Sequence, residues 1–157
     1  MSINYIQGTF VPGFSTDQMD EMAEMIRLDY PAFEFDPSYV VHISQFNGGI
    51  PKDRMITVQC GNWISIDRFL NYSNPSLVPD ENQKKLNANV VWSLVDDRLG
   101  TYLLPFAITP GGDPICFDYA RGFPPSIVLW NHEPLDDSRP NTEYIAKNFA
   151  AFEGGAD

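Results

Sequence analysis

The residues in this sequence that are best suited to acid–base chemistry are His132 and Glu133, which are adjacent, together with Asp118. A histidine beside carboxylates can act as a general base because the unperturbed imidazole pKa is about 6.5. Neighbouring residues on a strand point to opposite faces, however, so His132 and Glu133 converge only where the strand bulges. We therefore expect Asn131, His132 and Glu133 to hydrogen-bond a strand end to a nearby loop. Catalysis by His132, Glu133 and Asp118 is the alternative.

Other signatures of catalysis or metal binding are missing from the sequence. It contains no nucleophile elbow, Walker loop, zinc-ligand spacing or Rossmann fingerprint. The second histidine, His42, falls in a predicted helix with Phe46 four residues later, where a metal ligand would be needed. Cys60 and Cys116 are far apart in apolar, strand-like surroundings, which favours two buried free thiols. We predict no catalytic residue, no metal and no cofactor.

The elements that position Asp118 and Asn131 are predicted strands. Three apolar runs are rich in β-branched and aromatic residues and are separated by turn residues such as Pro110, Gly111 and Gly112. This pattern predicts a three-stranded antiparallel meander, with a bulge or an unpaired edge position at Pro105. The runs are 103–108, 115–119 and 127–131.

Alternation along the second run separates its two faces. Ile115, Phe117 and Tyr119 fall on one face, and Cys116 and Asp118 fall on the other. In the third run we expect Trp130 to pack in the core rather than to form a platform for a ligand.

Helices are predicted from capping residues and from apolar spacing. One follows Ser15, one begins at Asp36-Pro37, one follows Asn87, and the last begins at Thr142. The residues expected to face the core are Met19, Met22, Ala23 and Ile26 in the first helix, Val90, Val91, Leu94 and Val95 in the third, and Ile145, Ala146, Phe149 and Phe152 in the last.

The remaining segments complete an α+β fold. Met55–Cys60 is predicted to be a further strand of the same sheet, and Asp67–Tyr72 a short helical turn. Residues 1–14 are expected to form an arm or short strand, and residues 153–157 a frayed tail. The sequence thus predicts one domain over residues 1–157, with an antiparallel sheet of about four to six strands, a meander in its C-terminal half, and flanking helices.

Asn47-Gly48-Gly49 ends the second predicted helix. These residues tolerate the left-handed conformation that often terminates a helix. A phosphate-binding loop would instead precede a helix and use its positive end. We therefore interpret Asn47, Gly48 and Gly49 as a structural C-cap.

Composition limits the partners that this chain can bind. Ten basic and 21 acidic residues give a net charge of −11, which repels nucleic acid and anionic membranes. The electrostatic complement is a basic protein, although acidity that serves only solubility is an alternative. The sequence contains no signal peptide and no apolar run of membrane-spanning length, so we expect a cytoplasmic protein.

Several blocks of the sequence resemble the SUKH superfamily, which contains bacterial immunity proteins and the fungal Smi/Knr-type cell-wall regulators. Their order and spacing cover the chain from about Thr16 to Phe152, with departures at residues 28–35 and 73–87. The blocks are Tyr39–Gly49, Leu104–Ala107, Gly111–Asp113, Ile115–Asp118, Val128–Glu133 and Tyr144–Phe149 with Phe152. The motif residues expected to be structural are Asn47, Gly48, Gly49, Pro105, Gly111, Gly112, Asp113, Asp118, Trp130, His132 and Glu133.

The resemblance implies a non-catalytic module that binds and neutralises a cognate toxin domain, often a nuclease. An acidic surface suits such a partner because the groove of a nuclease is electropositive. A regulatory scaffold of the fungal type and a small-ligand-binding protein with a pocket beside the sheet are the alternatives.

The first predicted helix is the candidate partner-binding surface. From Ser15 to Asp36 the chain carries seven acidic residues against Arg27, a net −6 of the total −11. A solvated helix face is the alternative interpretation of such charges. The partner-binding residues predicted on this helix are Asp17, Asp20, Glu21, Glu24 and Met25.

Overall fold

Antiparallel strand pairing organises the structure. The computed structural model describes residues 3–57, 63–99, 102–131 and 141–154. The strands are β1 (Met55–Thr57), β2 (Trp63–Ser65), β3 (Arg68–Phe69), β4 (Leu103–Ile108), β5 (Pro114–Asp118), β6 (Ser126–Asn131) and β7 (Asn141–Ala146). The helices are α1 (Thr16–Arg27), α2 (Pro37–Phe46), α3 (Glu81–Lys85), α4 (Ala88–Leu99) and α5 (Phe149–Gly154).

The main sheet has five strands in the order β3-β4-β5-β6-β7, and every neighbouring pair is antiparallel. The predicted α+β class and the predicted meander of β4, β5 and β6 are therefore confirmed. The register of β4 against β5 shifts between Pro105 and Ala107, so the predicted bulge is also present. A proline cannot donate to the ladder, and the bulge accommodates that missing donor.

Two predictions for the middle of the chain are wrong. β1 does not join the main sheet but pairs with β2 in a separate two-stranded sheet, and residues 58–60 of that predicted strand lie outside the described residues. The predicted helical turn at Asp67–Tyr72 is instead β3, in which Arg68 and Phe69 pair with Ile108 and Ala107. The open edge of β4 supplies backbone partners there, which a local helical turn would leave unused.

The C-terminal helix also begins later than predicted. Asn141–Ala146 pairs with β6 as β7, and only Phe149–Gly154 is helical. Ile145, Ala146, Phe149 and Phe152 are all buried, as the apolar pattern indicated. Glu153 belongs to α5 rather than to a frayed tail, whereas residues 155–157 lie outside the described part of the chain.

The alternation along β5 divides the apolar residues into two clusters. Ile115, Phe117 and Tyr119 face the larger one, and Phe117 stacks on Phe106 with ring centroids 4.4 Å apart. α1, α2, α4 and α5 all contribute to this larger cluster, whose helical members include Met22, Ile43, Trp92 and Phe149. Across the sheet, Leu103, Cys116, Val128 and Trp130 form a smaller cluster.

Side-chain caps begin the helices where the sequence predicts them. Ser15 Oγ accepts from Asp17 N, Asp36 Oδ1 from Ser38 N, and Asn87 Oδ1 from Asn89 N. Satisfying these first backbone donors defines where each helix starts.

The predicted inward face of α4 is only partly correct. Val91 packs against the larger cluster, whereas the side chain of Val95 lies outside the described part of the structure. Val90 and Leu94 are exposed, and Ala88 and Trp92 are buried instead. The bulkier indole occupies the core, which turns the two aliphatic residues outward. Among the described residues, no helix is long and apolar enough to cross a membrane.

Residues 3–14 form an arm rather than a regular strand. One bridge joins Tyr5 to Pro51, and the amide of Ile6 donates to the Ile50 carbonyl at 2.9 Å. Val11 N reaches the Asn47 carbonyl at 2.8 Å. The arm is thus attached to the segment that follows α2.

Replacement of Trp130 by alanine tests the smaller cluster. We expect Trp130→Ala to lower the free energy of unfolding by about 3–5 kcal/mol, because the cavity left by a buried indole collapses only partly. Trp63→Ala is the matched control, since 63% of the Trp63 side chain is exposed and its loss should change stability by less than about 1 kcal/mol. Urea unfolding followed by circular dichroism measures both. Equal effects of the two substitutions would contradict a packing role for Trp130.

Candidate functional site

The acidic residues predicted to bind a partner lie together on the outer side of α1. Asp17, Asp20, Glu21 and Glu24 are all exposed. Their spacing of three and four residues places them in one stripe along the helix. Met25 lies next to this stripe and is 51% exposed. The opposite side of the helix is buried in the larger cluster, so the stripe faces solvent.

The carboxylates of the stripe lack cationic partners among the described residues. No ion pair between described residues involves Asp17, Asp20, Glu21 or Glu24. Arg27 is the one basic residue from Ser15 to Asp36, and its Nε donates to the Phe33 carbonyl at 2.9 Å. Its guanidinium is therefore held against the connection that follows the helix.

Asn47 is a buried junction rather than an exposed site. Its Nδ2 donates to the Val11 carbonyl at 2.9 Å and to Ser73 Oγ at 2.7 Å, and its Oδ1 accepts from Tyr72 N at 2.9 Å. Its backbone carbonyl accepts from Val11 N. The side chain thus uses its donors and its acceptor within the protein and joins the arm, the end of α2 and the segment after β3.

The two glycines after Asn47 allow this close approach. Gly48 has a φ of 67°, and a Cβ there would lie 2.5 Å from Val11 Cγ2. A Cβ on Gly49 would lie 2.5 Å from the Tyr5 ring. The Gly49 carbonyl accepts from Phe69 N at 3.0 Å. These contacts show packing of the chain against itself at the positions that a phosphate would need.

The motif residues between β4 and β5 shape a hairpin. Gly112 N donates to the Thr109 carbonyl at 2.9 Å, and Gly112 adopts a φ of 90° in the turn. Thr109 N donates to the Asp113 carbonyl at 2.9 Å, and Asp113 N donates to Thr109 Oγ1. Gly111 is exposed in this turn, and Pro105 lies at the bulge in β4.

The predicted acid–base candidates fall partly outside the described structure. His132 and Glu133 lie outside the described residues. Asp118 Oδ1 accepts from the amide of Ala120 at 2.9 Å, which caps the chain where it leaves β5. Among the described residues, no group of three or more His, Cys, Asp or Glu side chains could hold a metal ion.

The structure assembles a polar triad that the sequence did not predict, formed by Tyr5, His42 and Glu153. His42 Nδ1 lies 2.8 Å from Glu153 Oε2, and His42 Nε2 hydrogen-bonds the Tyr5 hydroxyl. The three residues come from the arm, α2 and α5, and they are far apart in the sequence. The only sequence signal was a histidine among the apolar positions of α2, with no local partner.

This triad resembles a nucleophile, base and acid in order, but its environment suits a structural role. Tyr5 and His42 are 7% and 4% exposed, and rings of Phe46, Phe69 and Phe149 surround His42. Burial raises the pKa of the Tyr5 hydroxyl, so it resists ionisation. Burial also lowers the pKa of His42, while the Glu153 carboxylate opposes that shift. The triad therefore links both ends of the described chain to α2.

Comparison with known proteins identifies a family. The model of the SMI1/KNR4 family (SUKH-1) matches residues 29–154, which include α2 to α5 and the whole sheet. No curated protein and no solved structure matches the chain. The match begins after α1, so the acidic stripe lies outside the matched region.

Alanine substitutions of glycine test the Asn47 junction. Gly112→Ala should lower the free energy of unfolding by about 1–2 kcal/mol, because its positive φ is strained but no atom lies within 4 Å of the new Cβ. Gly48→Ala should lower the free energy of unfolding by at least about 3 kcal/mol, since the new Cβ would clash with Val11 in addition to the strain of the positive φ. Chemical denaturation of both variants measures the difference. Losses of equal size would mean that the junction accommodates a Cβ.

The pH dependence of stability tests the triad. The pKa of His42 in the folded protein lies below its unfolded value of about 6.5, so the unfolded state binds more protons in acid. The stability that neutral His42 contributes is therefore fully present above about pH 6.5, and it is lost as the pH falls below that value towards the lower pKa of the folded state. His42→Gln should reduce this acid-side loss, and Glu153→Gln should lower the His42 pKa further.

An NMR titration of the two imidazole rings measures the His42 pKa directly. The His132→Gln variant assigns the His42 signal. A His42 pKa above the unfolded value would contradict the dominance of burial over the Glu153 charge.

Proposed function

The chain belongs to the SMI1/KNR4 family (SUKH-1), and we propose that it is an immunity protein that binds and neutralises a basic toxin domain. The acidic stripe of α1, which forms no ion pair with another described residue, is the observation that carries this proposal. Bacterial members of the SUKH superfamily are typically immunity proteins, and the proposal assigns the same role to this chain. It acts by binding rather than by catalysis.

Charge supports the choice of a basic protein as the partner. Four carboxylates stand in one stripe on α1, and the whole chain carries a net charge of −11. A field of this sign attracts a cationic groove and accelerates its approach, whereas it repels nucleic acid and anionic lipid. A nuclease domain has such a groove because it binds polyanions.

Apolar groups beside the stripe support a protein interface. Met25 is 51% exposed, and Leu28, which follows the helix, is 83% exposed. Protein interfaces commonly combine an apolar centre with a charged rim. Methionine adapts well to the shape of a partner because its side chain is flexible. Met25 and Leu28 would form the contact after the carboxylates have steered the approach.

The proposed binding surface lies in residues 1–28, which precede the region that the family model matches. The matched residues 29–154 follow α1, so the stripe is proposed from its charge and exposure alone. Toxin domains differ widely, and a binding surface outside the shared region can vary with the toxin without disturbing the core. This arrangement would allow one fold to serve different partners.

Two steps test the immunity function. The partner is first identified by co-purification with the chain from its native host. The candidate is then expressed in cells with and without this chain. We expect the partner alone to arrest growth and the chain to restore it, and restoration of growth without binding between purified proteins would contradict the proposed mechanism.

Charge reversal on α1 tests the proposed surface. Asp20→Lys with Glu24→Lys should lower the association rate by about tenfold or more at low ionic strength, because steering charges act mainly on association. Stopped-flow mixing with the identified partner at several salt concentrations measures this rate. The wild-type association should slow steeply with salt, while dissociation changes less.

The matched control is Asp53→Lys with Glu81→Lys. Both residues are exposed and lie outside α1. Their replacement by lysine changes the net charge by the same amount as the double substitution on α1. Similar effects from the two pairs would mean that net charge alone governs association. An unchanged rate after reversal at Asp20 and Glu24 would remove α1 from the interface.

A further inference from the structure

A concave space of about 430 Å³ lies between β2, β7 and the hairpin where β4 turns into β5. Sites for small ligands and side chains have volumes of this order. The residues that line it are Trp63, Ile64, Ser65, Thr109, Pro110, Gly111, Leu129, Glu143, Tyr144 and Ile145. We call this space the hairpin groove.

The lining combines apolar surface with one carboxylate. Leu129 on β6 is directly opposite Glu143 on β7, so the carboxylate stands beside an aliphatic wall. Ile64 and Ile145 add to that wall and are buried. Glu143 is the one charged residue among the described residues that line the groove. An occupant that carries a positive charge on an apolar stem would match this combination.

An exposed aromatic ring reinforces this interpretation. Trp63 is 63% exposed, whereas Trp92 and Trp130 are both buried. Tryptophan and tyrosine are enriched where proteins bind partners, because they offer a large apolar face together with a polar group. Their faces also attract cations, and guanidinium groups are the commonest cation found on them in proteins.

We propose that the hairpin groove binds an arginine side chain of a basic protein segment. The planar guanidinium can form two hydrogen bonds to the Glu143 carboxylate and can stack on an aromatic ring, while its methylene stem lies on the aliphatic wall. A phosphate or nucleotide is disfavoured, because no basic side chain lines the groove among the described residues and Glu143 would repel it.

No residue of α1 is among those that line the hairpin groove. Tyr30, just after α1, contacts Tyr102 at the start of β4, with ring centroids 5.4 Å apart. Thr109, at the other end of β4, lines the groove. The six residues of β4 span roughly 20 Å between these points. The proposal therefore stands whether or not α1 binds a toxin.

A short blocked peptide, acetyl-Gly-Arg-Gly-amide, tests this site. Citrulline has nearly the shape of arginine without its charge, so the citrulline peptide is the matched probe. We expect a saturable shift of the Trp63 indole N–H signal in NMR with the arginine peptide and little shift with the citrulline peptide. A Trp63→Phe variant assigns that signal among the three tryptophans.

Replacement of the carboxylate completes the test. Glu143→Gln should weaken binding of the arginine peptide by about tenfold or more, since a charge-assisted hydrogen-bonded pair is lost. Glu81→Gln, an exposed glutamate outside the groove, should leave the affinity unchanged. The absence of a saturable shift, equal binding of the citrulline peptide, or an unchanged affinity in Glu143→Gln would overturn the proposal. Because the probe contains no toxin, these outcomes are independent of the charge-reversal experiment on α1.

Discussion

The hydrogen bonds of the buried Asn47 side chain are the interaction on which the rest of the structure depends. The side chain joins the N-terminal arm, the end of α2 and the segment at Tyr72 and Ser73 through hydrogen bonds of 2.7–2.9 Å. Each partner is a polar group that would otherwise be buried without a bond, which is costly inside a protein. The glycine at position 48 allows the arm to approach so closely, because a Cβ there would overlap Val11. Substitution of Asn47 or Gly48 would therefore weaken the contacts among all three segments.

This junction places the arm where Tyr5 can reach α2. His42 then connects Tyr5 on one side to Glu153 of α5 on the other. The two hydrogen bonds satisfy a buried imidazole that has no polar partner within its own helix. Aromatic rings fill the space around it, so the polar link is enclosed by apolar packing. The ends of the described chain are thereby held against the centre of the fold.

The two proposed binding surfaces, the acidic stripe and the hairpin groove, rely on different physical effects. The stripe on α1 is proposed to act through charge at a distance, since its carboxylates form no ion pair within the described structure and lie on an exposed helix face. The hairpin groove is proposed to act at contact, because a single carboxylate stands beside aromatic and aliphatic residues. Long-range attraction controls how fast a partner arrives, whereas a groove of this kind determines which side chain is accepted. A cationic protein is the proposed partner of both surfaces, which agrees with the net charge of −11.

The sequence by itself determined the elements whose signals are local. The caps at Ser15, Asp36 and Asn87, the buried stripe of α1, and the meander of β4, β5 and β6 all follow from turn chemistry and periodicity. Only the tertiary structure decided that β7 is a strand and that β3 pairs with β4. It also decided that α4 buries Trp92 rather than Val90 and Leu94, and that Tyr5, His42 and Glu153 come together. The physical reason is that a short apolar run is compatible with both a helix and a strand. The edge of a strand that is distant in the sequence decides between them, because it supplies backbone hydrogen-bond partners. The partners of a buried histidine and the walls of a groove likewise come from segments that no local pattern connects.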